Sequence, residues 1–259
     1  MLKKKQLTIN GVTGVLTLPA QPSETLVVMA HCFGCSKETK ILVKLARFLA
    51  GHGYGSVRMD YSRHLYSTYI EELEGVSRVM LGDAAAAADA ADSSAGELGE
   101  LPRFSRVVLL GHSLGGLAVL SAAARSRSTG LGEYLQGVVA LSAPATAHHV
   151  EAAAADVPDL DPGLVDETFV QDVAATAATE FSDCQVPVLI VHPDEDPVVG
   201  IEHGRRLHEL LPDSELVVVP KCTDHMFVSD AARTAVEEAV GRWLPQHTAT
   251  PADSHPQQR

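Results

Sequence analysis

The stretch Arg106–Ser121, RVVLLGHSLGGLAVLS, constrains this chain more than any other. Val107–Leu110 is a run of branched aliphatics and reads as a strand buried on both faces. The chain then turns through Gly111-His112-Ser113-Leu114-Gly115-Gly116 and continues with small and aliphatic residues at helical spacing. A serine between two glycines at a strand–helix junction fits the pattern G-x-S-x-G. Its steric demand is specific: the serine must take a strained backbone conformation to stand at the tip of the turn. Side chains two residues before and after it would clash, and Gly111 and Gly115 remove them.

The remaining chain repeats the strand-then-helix theme. Gln6–Leu18 alternates apolar and polar residues around Asn10-Gly11, as a hairpin of edge strands does. Buried strands are expected at Thr25–Ala30, Gly55–Tyr61, Leu135–Leu141, Val186–His192 and Glu215–Val219. Helices are expected at Lys37–His52, closed by Gly51 and Gly53, at about Val76–Ala91, at Ile201–Leu211 and at Asp230–Leu244. A polar, aromatic stretch, SRHLYSTYIEELEG, precedes the second of these. Residues 145–184 hold no convincing strand and read as short helices broken at Pro158 and Pro162, too long for a plain connection. The tail from Pro245 lacks apolar spacing and is expected to be disordered.

Strands alternating with helices after an opening hairpin imply an α/β architecture: a mainly parallel eight-stranded sheet, covered on both faces. The expected organisation is a core of residues 1–144 and 185–244, with 145–184 inserted as a small helical cap. Reactive groups then belong in loops at the carboxyl ends of the strands.

Charge narrows the partners. With 20 basic against 33 acidic residues the formal net charge is −13, which disfavours a phosphate backbone, so nucleic acid is not expected. Lys3-Lys4-Lys5 is followed by no apolar stretch and no segment has membrane-span length, so neither signal peptide nor membrane is expected, and the cytoplasm is the default. A second copy of the chain stays open as a partner. Of Cys32, Cys35, Cys184 and Cys222, the first two have C-x-x-C spacing. With no second ligand pair this reads as two reduced thiols in a tight loop rather than a metal site, a regulatory disulfide being the lesser alternative. No metal and no cofactor are expected.

A serine hydroxyl needs a base, and the base needs an orienting group. Both candidates follow at strand ends. Val188–His192 runs into Pro193-Asp194-Glu195-Asp196-Pro197-Val198, and Leu216–Val219 runs into Lys221-Cys222-Thr223-Asp224-His225-Met226-Phe227. The order Ser113, Asp196, His225 is that of the Ser…Asp…His hydrolases. Asp196 is the favoured acid and Asp194 the alternative.

On these residues the chain resembles the α/β-hydrolase superfamily, esterase- and thioesterase-like, over about residues 7–244. GHSLGG matches the nucleophile elbow, HPDEDPVV resembles H-G-x-x-D-x-x-V, and TDHMF resembles the histidine loop. The resemblance implies an α/β-hydrolase fold with Ser113 as nucleophile, His225 as base and Asp196 as orienting acid. It implies oxyanion donors in the backbone N–H groups of Leu114 and Phe33. His31-Cys32-Phe33-Gly34 stands where the family often has H-G-F/G-G, so Cys32 replaces a glycine. AHCFGCSKE is also similar to the hydrolase part of fused hydrolase/OsmC-like proteins. The glycine-rich R-G-x-G-x-S segment common after the fourth strand is absent. Tyr66, Tyr69 and His112 are the candidates for the substrate-binding wall.

The expected function is hydrolysis of an ester or thioester of a small acyl substrate through an acyl-enzyme. Two alternatives remain on the same scaffold: a non-hydrolytic, cofactor-independent cyclase, lyase or acyltransferase, and a catalytically silent binding protein.

Overall fold

A computed structural model describes residues 2–83, 102–149, 165–176 and 183–248. Eight strands form one sheet: β1 (Lys3–Ile9), β2 (Val12–Leu18), β3 (Thr25–Ala30), β4 (Gly55–Met59), β5 (Arg106–His112), β6 (Leu135–Leu141), β7 (Val188–Pro193) and β8 (Ser214–Val219). Six helices lie among the described residues: α1 (Lys40–Gly51), α2 (Tyr66–Met80), α3 (Leu114–Arg125), α4 (Glu167–Thr176), α5 (Ile201–Leu210) and α6 (Asp230–Thr248). The strand order is β1-β2-β4-β3-β5-β6-β7-β8, with β2 antiparallel to both neighbours and every pairing from β4 to β8 parallel.

Asn10 (φ 52°) and Gly11 (φ 79°) form the two-residue turn between β1 and β2, as the Asn-Gly pair anticipates. Of this pair only β1 is an edge strand, however. β2 pairs with β4 on its far side, which is why Val15, Leu16 and Thr17 are buried in succession.

The aliphatic runs are buried because both faces of the sheet are covered. Side chains alternate by two, so neighbouring residues enter different cores. Leu26, Val28, Leu109 and Ile190 pack beneath α2, α3, α4 and α5, whereas Val27, Met29, Leu110 and Val191 pack against α1 and α6. Helix α1 ends in a left-handed Gly53 (φ 88°), where Tyr54 N–H donates to Leu49 O and Gly53 N–H to Ala50 O. These are the two bonds of a Schellman stop.

Three expected helix boundaries shift by more than three residues. Helix α2 begins at Tyr66, so the aromatic stretch is helical and its Tyr66, Tyr69, Ile70, Leu73 and Val76 form one buried stripe. The expected helix does not run unbroken to Ala91: α2 ends at Met80 and the chain turns through a left-handed Gly82 (φ 87°), while residues 84–91 lie outside the described residues, as do Pro158, Pro162 and the tail from Ala249. Helix α6 runs through Pro245 to Thr248 rather than stopping at Leu244. Tertiary contacts hold that last turn: Thr248 Oγ1 meets Tyr54 OH at 3.1 Å and donates to Leu244 O, and Arg106 donates to Thr248 O. Among the described residues no helix is long and apolar enough to cross a membrane.

Candidate active site

The site is built where β5 hands over to α3. Ser113 takes φ 55° and ψ −123°, a conformation costly for a residue with a Cβ. It occupies the N-cap position of α3, yet its hydroxyl makes no capping bond. Serine usually caps by turning its oxygen onto the helix amides; the strained turn leaves this hydroxyl uncommitted. The neighbouring glycines are sterically required. A Cβ on Gly111 would lie 2.1 Å from Gly115 O, and one on Gly115 would lie 2.3 Å from His31 O. Gly115 thus clears room less for Gly111 than for the loop after β3.

The candidate acid and base come from the loops after β7 and β8. His225 Nδ1 lies 2.8 Å from Asp196 Oδ2, and both side chains are buried. Oδ1 of the same carboxylate accepts N–H bonds from Val198 and Val199, each 2.9 Å. Burial works to raise the Asp196 pKa, but the His225 bond and charge together with the two amides outweigh it and hold the carboxyl below its usual range. An ionised Asp196 accepts Nδ1–H, which leaves His225 Nε2 as the bare nitrogen. The alternative acid faces elsewhere: Asp194 Oδ1 accepts the Cys222 N–H at 3.0 Å.

His112 joins this pair to the serine. It is fully buried, and its Nε2–H donates to His225 O at 2.8 Å, with the two rings 4.9 Å apart. Since His112 directly precedes Ser113, the bond fastens the base-bearing loop to the elbow. Burial first, then the neighbouring His225, lowers the His112 pKa to about 3, so the ring stays neutral. The histidine loop is closed by Phe227 N–H on Asp224 O, and Asp224 Oδ2 accepts Ser229 N–H at 2.7 Å. His192, buried behind the acid, donates Nε2–H to Val199 O at 2.7 Å and so secures the segment that wraps Asp196.

Across the elbow lies His31–Cys35. His31 is buried with Nδ1 2.7 Å from Cys32 O, and its ring meets Tyr61 at 4.7 Å. Phe33 packs against Phe169 of α4, ring centroids 5.0 Å apart. The Leu114 N–H, first in α3, is one of the helix donors left without an intrahelical acceptor. Cys32 and Cys35 form a disulfide rather than two reduced thiols. The turn that carries them, with Cys35 N–H on Cys32 O and Gly34 at φ 65°, brings their Cα atoms to 5.4 Å, inside bridging range. Spacing alone does not reveal that turn.

The expected substrate wall is placed differently. Tyr66 and Tyr69 are buried, Tyr66 OH bonding Ser121 Oγ at 2.6 Å and Tyr69 stacking on Tyr61 at 3.7 Å. Tyr69 lies 6.3 Å from the His31 ring, Tyr66 is tied to α3, and His112 holds the loop of His225; none of the three offers an open face. His149, at the end of the described run after β6, donates to Val198 O at 2.8 Å and packs on His203 at 4.3 Å. Residues left unassigned by sequence also border the site. Ser142, at φ 45° after β6, is fully buried beside Leu141, whose carbonyl accepts Ser113 N–H. A surface hollow of about 700 Å³ lined by Arg78, Arg127, Glu133 and Tyr134 shares no residue with the elbow. Among the described residues no group of three metal-ligating side chains converges.

Comparison with known proteins agrees with this architecture. The family model of the TAP-like proteins (Abhydrolase_4) matches residues 169–255. No curated protein sequence matches the chain. Est1E from Butyrivibrio proteoclasticus superposes with a TM-score of 0.67 at 22% identity, covering 95% of this chain and 99% of that one. The esterase domain of a Rhodothermus marinus protein gives 0.69 at 24% identity, covering 96% and 100%. Mouse alpha/beta hydrolase domain-containing protein 10 gives 0.67 at 13% identity, covering 94% and 99%. The chain has the fold of the α/β-hydrolase superfamily.

Proposed function

We propose that the protein is a serine hydrolase that cleaves an ester or thioester of a small acyl substrate through an acyl-enzyme. The observation that carries the reading is the buried 2.8 Å contact between His225 and Asp196, on a loop bonded through His112 to the elbow of Ser113. A silent binding protein would have no need of a strained, uncapped serine beside an oriented imidazole. Esterases among the structures of like fold, one of them solved with ferulic acid bound, lend the ester class further support.

In this mechanism Ser113 Oγ attacks the acyl carbonyl while His225 Nε2 takes its proton. Asp196 keeps Nδ1 protonated and stabilises the imidazolium. The N–H groups of Phe33 and Leu114 receive the developing oxyanion, each typically worth ~3–4 kcal/mol. His225 returns the proton to the leaving group, then activates water to release the acyl group. Of the expected cap, only 145–149, 165–176 and 183–184 are described, and in this reading α4 borders the cleft where Phe169 meets Phe33.

A fluorophosphonate probe and short-chain p-nitrophenyl esters test the proposal. Wild type should be labelled and turn over, and Ser113→Ala should do neither. Equal labelling and equal rates in the two folded proteins would overturn it.

A further inference from the structure

The disulfide encloses the residue assigned as an oxyanion donor. Its ring spans Cys32 to Cys35, with Phe33 and Gly34 between. So short a loop removes little freedom from the unfolded chain, and its contribution to global stability is correspondingly modest. What it governs is local, because both flanks are held by other means. Upstream, His31 is buried and its carbonyl lies hard against Gly115. Downstream, Lys37 N–H donates to Asp60 Oδ1 at 2.7 Å, the Lys37 ammonium pairs with the same carboxylate, and the buried Arg58 donates to Lys37 O. Between these anchors, residues 32–35 are held by a turn bond, the Phe33–Phe169 contact and the sulfur bridge, which is the sole covalent tie.

We infer that the Cys32–Cys35 disulfide is a redox-controlled clamp on the Phe33 amide, catalytically competent when oxidised and loosened by a dithiol reductant. The inference rests on the serine-hydrolase reading above. Cys35 is half-buried while Cys32 is buried, so exchange starts at Cys35 Sγ. A reductant thiolate attacks that sulfur, the Cys32–Cys35 bond breaks, and Cys32 leaves as thiolate and is protonated. The second reductant thiol then displaces Cys35 from the mixed disulfide. Two electrons and two protons pass from the dithiol to the two cysteines, and the reductant departs as its own disulfide. The released segment no longer fixes the Phe33 N–H against the elbow, so the tetrahedral intermediate loses part of its stabilisation while substrate binding is little changed.

The test uses full-length protein, oxidised with diamide or reduced with dithiothreitol and desalted before assay. Iodoacetamide with mass analysis reports the state of each cysteine. Reduction should expose Cys32 and Cys35 and lower kcat for p-nitrophenyl acetate by about tenfold, against the roughly 10²–10³-fold cost of removing an oxyanion donor outright. KM should stay within about twofold, fluorophosphonate labelling should slow in parallel, and diamide should restore both. The doubly substituted Cys32→Ser, Cys35→Ser protein should begin at the reduced kcat and ignore either reagent, whereas Cys184→Ser should keep the response. Equal kcat in oxidised, reduced and doubly substituted enzyme would overturn the clamp alone, as would failure of diamide to protect Cys32 and Cys35. Absence of turnover and labelling from oxidised wild type would instead overturn the serine-hydrolase reading, and the clamp with it.

Discussion

The two sides of the elbow are held in place by different physics. On the proposed acid–base side, the loops after β7 and β8 are laced by hydrogen bonds: Asp196 to His225, Val198 and Val199, Asp194 to Cys222, His192 to Val199, and His112 to His225 O. On the proposed oxyanion side, beyond the Lys37–Asp60 anchor at its far end, the loop after β3 relies on a disulfide, an aromatic stack under His31, and the close approach of its backbone to Gly115. Hydrogen bonds to a buried carboxylate fix the direction of a proton, which the base requires. Packing and a covalent bridge fix the position of a backbone amide, which is all an oxyanion donor must supply. The first side therefore fails when a charge is removed, the second when a shape or a sulfur bond is changed.

The largest expected break is on the acid–base side. Asp196→Asn keeps the volume but removes the negative charge that holds Nδ1–H, so His225 presents the wrong tautomer to Ser113. We expect kcat to fall by about 10⁴-fold with the fold retained, read by ester turnover beside a circular-dichroism spectrum. Asp194→Asn, which leaves His225 untouched, should cost far less; an equal loss would make Asp194 the acid. Next comes the contact between the two sides. Gly115→Ala places a methyl 2.3 Å from His31 O and 2.8 Å from Ala30 O, both backbone atoms that cannot swing aside. We expect a stability loss of about 1–3 kcal/mol in urea titration and a kcat loss on the order of 10²-fold. Wild-type kcat in Gly115→Ala would mean that the oxyanion loop need not sit where it does.

The same contrast separates what sequence could and could not reveal. The elbow, the acid loop and the histidine loop are legible because each joins a local pattern to a strand end: aliphatic run, turn residues, reactive side chain. β6, Leu135–Leu141, matches its expected bounds because beyond Gln136 it is an unbroken apolar run buried on both faces. The oxyanion side is less legible because its geometry depends on partners distant in sequence. C-x-x-C spacing is read more readily as a dithiol, and that the two sulfurs can meet follows only from the turn at Gly34. Tyr66 and Tyr69 look like pocket walls until α2 is seen to start at Tyr66, which turns both rings into the core. Pro245 looks like a stop because the contacts of Thr248 with Tyr54 and Arg106 are not local.

Acid should sharpen the comparison without any substitution. His112 stays neutral in the fold down to about pH 3, whereas the unfolded chain protonates it near pH 6.5. Between those values the unfolded state binds more protons, so stability falls as pH falls. Burial also lowers the pKa of His192 beside Asp196 and of His31. Asp196, held below its usual value, adds its loss only further down, as pH drops below about 4 and through its folded pKa. The melting temperature should therefore be lower at pH 5 than at pH 7.5 by on the order of 5 °C. His112→Gln should melt lower at pH 7.5 yet show a shallower pH slope. A flat profile in wild type over this range would show that these rings are not held neutral.

The smallest effect concerns how α4 is fastened to the oxyanion side. Helix α2 starts after Leu65, which has no side-chain oxygen to offer its first amides. Asp172 of α4 supplies one from outside, its carboxylate accepting Ser67 N–H at 2.9 Å and Ser67 Oγ–H at 2.5 Å. A carboxylate at a helix N-terminus both satisfies a donor and complements the helix dipole. On the same helix, three residues earlier, Phe169 rests against Phe33. Asp172→Ala should cost about 1 kcal/mol of stability. It should also release α4 from α2, so KM for p-nitrophenyl esters should rise a few-fold while kcat changes less, since the disulfide still positions the Phe33 amide. A fall in kcat as large as the rise in KM would mean that α4, and not the sulfur bridge, sets the oxyanion loop.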